Sequence, residues 1–216
     1  IKLHTKVDVL VNESKRSDPW QISFLRMFDM ANDSDLFCTR DQLIKDGYEQ
    51  SQNKFIKDFD VLLPLYEAKN ATHYNHRYGT FEDIDKEKMF KLHAGTNKLG
   101  SEDLADPCKL SLTRYWISES AVNHTLKANE NFNWLIGFRN AISAVADARS
   151  VTFCILPKYG VGHSMPLLFS KMNILKLCSL VANFNSFVVD YVARQKASGG
   201  NLTYFIVKQL PLLHPS

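Results

Sequence analysis

Residues 173–197 place apolar side chains at positions 174, 177, 178, 181, 184, 188 and 192, the repeat of a helix with one buried face. Ser198-Gly-Gly200 follows as a stop signal. The spacing predicts one long helix over 173–197. Upstream, Val151-Thr-Phe-Cys-Ile-Leu156 is a short, almost unbroken apolar run, which reads as a buried strand. A helix with one apolar stripe and a strand with two apolar faces must cover each other in layers. The fold class expected is therefore α+β, a mixed sheet-containing domain with a long C-terminal helix.

The remaining elements follow from period and punctuation. Lys2–Val11 alternates apolar and polar residues and reads as a strand. Ser17-Asp-Pro19 reads as a helix start, and apolar residues at 20, 24, 27, 28 and 31 continue at helical spacing. Thr39-Arg-Asp-Gln42 has the form of a capping box opening a short helix that ends near Gly47. Tyr48–Tyr66 reads as two strands around a polar turn at Gln50–Lys54. Leu112–Ile117 reads as a strand, Asn133–Ala148 as a helix and Asn201–Gln209 as a final strand. Residues 82–109 are charged and punctuated by Gly95, Gly100 and Pro107. The organisation expected is an N-terminal part at 1–85, a loop or linker at 86–109, and a C-terminal part at 110–216.

Composition bounds the function classes. The chain has 216 residues, 45% hydrophobic and 23% charged, ordinary for a soluble globular protein. No apolar run is long enough to span a bilayer, and no basic-plus-apolar leader opens the chain. A cytoplasmic location without a membrane partner is the expectation. The first residue is Ile1 rather than Met, as expected of a piece of a longer protein or of a processed chain. The four cysteines at 38, 108, 154 and 178 match no zinc or redox spacing, and the seven histidines are scattered, so no metal is expected. Residues 151–216 hold six Lys/Arg and one acid, whereas residues 1–150 hold 20 Lys/Arg and 22 Asp/Glu. The basic C-terminal third steers an anionic partner toward that end.

Residues 64–81 interleave cations and rings. Lys69, His73, His76 and Arg77 stand among Tyr66, Tyr74, Tyr78 and Phe81, with Glu67 as the one carboxylate. Cations meet phosphate and flat groups stack on bases, so the pattern suits nucleic acid. It equally suits a loop with packed rings and solvated charges.

Nucleotide-binding and serine-nucleophile motifs are absent, as are Asn-Pro-Pro-Tyr and a glycine-rich cofactor loop. The residues carry no visible machinery for methyl transfer. One constellation has catalytic form: Asp58 or Asp60 followed by Glu67-Ala-Lys69, the set with which metal-dependent nucleases hold Mg²⁺ and activate water. A nuclease using Asp60, Glu67 and Lys69 is one alternative function. A structural or protein-interaction module is another.

Several short words occur in a telling order. These are Phe24–Ser34 with Leu36-Phe37, Pro64–Lys69, His76-Arg77-Tyr78, Leu112–Trp116, Gly137-Phe-Arg139, Ile155-Leu-Pro157, Asn185-Ser186, Asp190–Lys196, Gly199-Gly200 and Lys208–Pro211. Together they resemble the C-terminal region of large bacterial adenine-specific DNA methyltransferases of restriction–modification (type IIG-like) and related phage-defence systems. The resemblance runs from about residue 19 to 215. It departs at Asn70-Ala71, where a bulkier apolar pair is usual, and at Asn75, where Asp is usual.

The resemblance implies a target recognition domain that follows the catalytic domain. Its partners are double-stranded DNA and the catalytic methyltransferase domain of the same parent chain. No cofactor belongs to this part, and S-adenosylmethionine belongs to the parent enzyme. It implies DNA-facing roles for Arg114 and Tyr115, with Trp116 as strand or core, for Arg139 and Arg149, for Lys158, His163 and Ser164 in the loop after the 151–156 strand, and for Arg194. It assigns Asn185 and Asp190 to caps and buried hydrogen bonds. No residue is expected to be catalytic.

Overall fold

The computed structural model describes every residue except 1–6, 92–93, 128–131, 143–147, 198–199 and 215–216. The strands are β1 (Ile22–Leu25), β2 (Glu49–Ser51), β3 (Lys54–Lys57), β4 (Asp60–Tyr66), β5 (Gly79–Thr80), β6 (Asn97–Lys98), β7 (Trp116–Ser118), β8 (Trp134–Phe138), β9 (Phe153–Pro157), β10 (Gly160–Val161) and β11 (Leu167–Ser170). The helices are α1 (Arg40–Lys45), α2 (Lys86–Met89), α3 (Ser101–Ala105), α4 (Glu119–Leu126), α5 (Ile174–Phe184), α6 (Phe187–Lys196) and α7 (Tyr204–Lys208). The fold is α+β.

Two sheets form its frame. One is fully antiparallel, in the order β1-β11-β8-β9. In the other, β4 is central. It pairs antiparallel with β3 and β7 and parallel with β10, while β2 extends β3. The turn at Lys158-Tyr159 carries the chain from β9 in the first sheet to β10 in the second. Strand β8 reads Trp-Leu-Ile-Gly-Phe because both of its faces are buried. Ile136 and Phe138 join a core under the three C-terminal helices, and Leu135 joins a core shared with Leu63, Leu65 and Ile117 of the second sheet. Gly137 gives close packing at this centre: a Cβ there falls 2.8 Å from Leu156 Cδ1 and 2.9 Å from Met165 Cγ, so those side chains have to shift to admit one.

Local capping chemistry sets several helix limits. Thr39 and Gln42 form the expected capping box, and Gly47 turns the chain out of α1 with φ of +83°. The helix expected over 173–197 is two helices, α5 and α6. Asn185 turns its carboxamide onto the edge of β9, accepting from Phe153 N at 2.9 Å and donating to Phe153 O at 2.9 Å. Ser186 then caps α6 through Val189 N.

Other expectations are corrected. The helix expected from Trp20 is strand β1. Gln21 has φ of +51°, and the apolar residues that follow serve two different cores. Tyr48–Tyr66 holds three strands rather than two. The helix expected over 133–148 begins as β8, and residues 143–147 lie outside the described residues. The final strand expected over 201–209 is helix α7, capped by Thr203 through Ile206 N. Within 112–117 only Trp116 and Ile117 belong to a strand, β7. Of the expected strand at 2–11, residues 2–6 lie outside the described residues. Leu10 N and Val11 N donate to Leu210 O and Lys208 O, so this segment pairs with the chain end. The charged segment 82–109 carries α2, β6 and α3. The Lys109–Glu82 pair at 2.6 Å ties its two ends together, and the Arg77 guanidinium holds it to the body.

Candidate nucleic-acid interface

Strand β4 delivers Glu67 into the interior, and the residues after it close a tight turn. Asn70 Oδ1 accepts from Glu67 N at 2.9 Å, and Asn70 Nδ2 donates to Gly79 O at 3.0 Å. Asn70 thus satisfies backbone groups that an apolar residue would leave open, and the small Ala71 packs in the core beside it. The Glu67 carboxylate accepts from Arg114 Nε at 2.7 Å and Arg114 Nη2 at 2.8 Å, a bidentate pair. Lys69 Nζ stands 3.3 Å from the same carboxylate and donates to Ala94 O at 3.0 Å. Burial and, to a lesser degree, the Arg114 charge lower the Lys69 pKa against the opposing pull of Glu67. The Arg114 guanidinium also lies over the rings of Phe81 and Tyr115. Tyr115 is half-buried against the core between the sheets, and Trp116 is core, donating from Nε1 to Asn53 O.

The other residues of the 64–81 stretch are also engaged. Arg77 donates to three carbonyls, those of Leu104, Asp106 and Lys109. Asn75 Oδ1 accepts from Arg77 N, a task that the usual Asp performs equally well. His73 Nε2 lies 2.7 Å from Val151 O. Burial lowers the pKa of His73 and of His76.

On the helical side, Asp190 Oδ1 accepts from Ser150 N and Val151 N, and Asp190 Oδ2 accepts from Arg194 Nε at 3.0 Å. Arg149 donates to Asn185 O at 2.7 Å and lies over the Phe187 ring. Asn185 and Asp190 therefore hold structure through buried hydrogen bonds, as expected. Arg194 also donates to Ala148 O.

A second group of the anticipated residues gathers at one end of the four-stranded sheet. There β1 and β8 leave, and β9 and β11 enter. Arg139 follows β8, and its side chain makes no hydrogen bond or ion pair with a described residue. Ser164 Oγ accepts from Ala68 N at 3.2 Å, and Ser164 O accepts from Asn140 N at 3.0 Å. His163 Nδ1 accepts from Met30 N at 3.0 Å. Lys158 sits apart from these, beyond the other end of β9. Arg26, Asn140 and Asn201 share the sheet end with Arg139. Sequence reading passed over them because single polar residues after strands carry no motif.

The nuclease set does not assemble. Asp60 and Glu67 stand at opposite ends of an extended strand, about 23 Å apart at the usual rise. Asp60 accepts from the Tyr48 hydroxyl at 2.5 Å, and Glu67 is held by Arg114. Asp58 occupies the turn before β4 with φ of +53°. Among the described residues no group of three His, Cys, Asp or Glu side chains converges on a metal position. No helix of the described residues is long and apolar enough to cross a membrane. Comparison with models of known protein families gives no match, and comparison with curated proteins gives none.

Proposed function

We propose that this chain is a DNA target recognition region of a bacterial adenine-specific DNA methyltransferase in a restriction–modification or related phage-defence system, acting in the cytoplasm. One observation carries the reading: the ordered series of short motifs from Phe24 to Pro211 that resembles that region. The arrangement of the motifs supports it. Pro64–Lys69 and Leu112–Trp116 interlock through Glu67 and Arg114, so words distant in sequence form one unit. The sheet end that presents Arg26, Arg139, Asn140 and Ser164 supplies cations and amides suited to a polyanion. In this reading the catalytic domain and S-adenosylmethionine belong to the parent protein, and this part grips the duplex from which a base is flipped.

Titration of the chain with fluorescent duplex DNA at increasing salt tests the proposal. Affinity that falls linearly on a log–log salt plot is the expected result, because phosphate contacts release counterions. Absence of binding to any duplex at low salt removes the reading.

A protein-interaction module is favoured by one separate observation. Leu175, Phe187, Val188 and Tyr191 lie more than half exposed on α5 and α6. Complex formation with the parent's catalytic domain, without DNA affinity, selects that reading instead.

A further inference from the structure

Arg26, Asn140 and the stretch carrying Asn201 and Tyr204 come from three separate segments and line one cavity of about 290 Å³, completed by Pro166 and Thr203. Its backbone is fixed. Asn140 N donates to Ser164 O, Leu202 N donates to Asn140 O at 2.7 Å, and Ala141 bridges to Asn201. The Tyr204 ring stacks on Phe24 at 4.7 Å, which holds it against the cavity.

Apart from Thr203, whose hydroxyl caps α7, the polar side chains of this lining lack partners among the described residues. The side chains of Arg26, Asn140 and Asn201 form no hydrogen bond or ion pair with a described residue. The Tyr204 hydroxyl is buried without a hydrogen-bond partner. Buried polar groups are ordinarily satisfied, so an orphan hydroxyl beside open donors calls for an explanation. Among the described residues no acid lines the cavity. Asp29, whose carboxylate feels the Arg26 charge, is already taken by the N–H groups of Ala31 and Asn32. A guanidinium and two carboxamide-bearing side chains lining one space, with no carboxylate among its described lining residues, match the needs of an oxyanion.

We infer that this cavity seats a phosphate group, supplied by a DNA strand, with Arg26 carrying the charge and Asn140 and Asn201 donating hydrogen bonds. The identity of the strand rests on the DNA-recognition reading; the phosphate chemistry does not. The cavity opens at the sheet end that also carries Arg139 and Ser164, so a phosphate there would fix register for contacts made by its neighbours.

Two measurements on the full chain test this. The first is duplex binding by fluorescence anisotropy from about 50 to 200 mM salt for the wild type, Arg26→Ala, Arg26→Lys and Asn140→Ala/Asn201→Ala. Arg26→Ala is expected to weaken binding roughly tenfold and to lower the salt slope by about 1, with Arg26→Lys restoring the slope. The double asparagine variant is expected to weaken binding with the slope unchanged. The second is the NMR shift of the Asn140 and Asn201 side-chain amides on addition of inorganic phosphate, with chloride as control. Wild-type DNA binding that is indifferent to all three variants overturns the site and leaves the DNA reading standing. Amide shifts with phosphate, in a chain that binds no duplex, support the phosphate site and sink the DNA reading. No shift with phosphate and no DNA binding overturns both. Arg26 is exposed, so its variants retain the fold, and unchanged thermal melts verify it.

Discussion

Glu67 and Arg114 lie 47 positions apart and meet as a two-pronged ion pair with N–O distances of 2.7 and 2.8 Å. The side chains are 7% and 10% exposed, so water does little to screen them. Arg114 also donates to Met89 O, which ties the charged segment to the same point. Removing Arg114 leaves the buried Glu67 carboxylate with Lys69, at 3.3 Å, as its remaining counter-charge and without its two-pronged hydrogen bonding. Arg114→Ala is expected to destabilise the fold by about 3 kcal/mol. The combined Glu67→Gln/Arg114→Met change is expected to cost less than the single one. Urea unfolding of the three proteins decides it, and equal midpoints for wild type and Arg114→Ala reject the pair as a structural tie.

Gly79 stands where the chain packs against the turn that follows Glu67. A Cβ at this position falls 2.1 Å from Lys69 O and 2.6 Å from Thr96 Oγ1. The first of these is backbone and has no rotamer by which to move. Gly79 O in turn accepts from Asn70 Nδ2 and from the buried Ser111 hydroxyl. Gly79→Ala is therefore expected to shift both hydrogen bonds and destabilise the fold by about 2 kcal/mol or more. A thermal melt within experimental error of the wild type contradicts the close approach.

The parts of the fold that were legible in sequence are those decided locally. The Thr39–Gln42 box and the 151–156 strand are recovered because a few adjacent residues determine each. Apolar spacing misleads where one segment feeds two cores. Trp20 and Phe24 face the core under the C-terminal helices, while Met27 and Phe28 face the core between the sheets, and their combined spacing imitates one helix face. The run Trp134–Phe138 is apolar on both sides, which erases the period that separates strand from helix. The α5–α6 break depends on Asn185 meeting Phe153, a contact that no local pattern contains. The same limit governs the candidate site. The cluster at 64–81 was visible by composition, but Lys69 and Arg77 donate to carbonyls 25 to 32 positions away, and Lys69 also pairs with Glu67. Arg26, Asn140 and Asn201 become neighbours only through sheet topology.

Asp190 supports the structure through its charged form. Burial favours the protonated acid, but the N–H groups of Val151 and Ser150 and the Arg194 and Arg149 guanidinium groups outweigh it, and its pKa is lowered. A carboxyl whose folded pKa is depressed adds stability that is present above the unfolded value and is lost as pH falls through the folded one. The unfolding free energy is thus expected to drop below about pH 4. Asp190→Asn is expected to flatten that part of the curve while lowering stability at neutral pH. Urea unfolding from neutral to acid pH measures both, and an unaltered acid limb in Asp190→Asn contradicts the assignment.

His73 and His76 act in the opposite sense to cations poised for phosphate. Burial lowers both pKa values; for His73 the hydrogen bond to Val151 O opposes it, and for His76 the Arg77 charge reinforces it. Both rings are therefore neutral at pH 7.5 and add no charge to a DNA interface at that pH. A base with a depressed folded pKa contributes stability that is present above the unfolded value, about 6.5, and is lost as pH falls below it. Two outcomes follow. The unfolding free energy should decline from about pH 6.5 downward, and less steeply in His73→Gln/His76→Gln. The salt slope of duplex binding at pH 7.5 should be the same in that variant as in the wild type, because neutral rings release no counterions. A reduced slope in the double variant would show that these histidines meet phosphate as cations, against the burial that keeps them neutral.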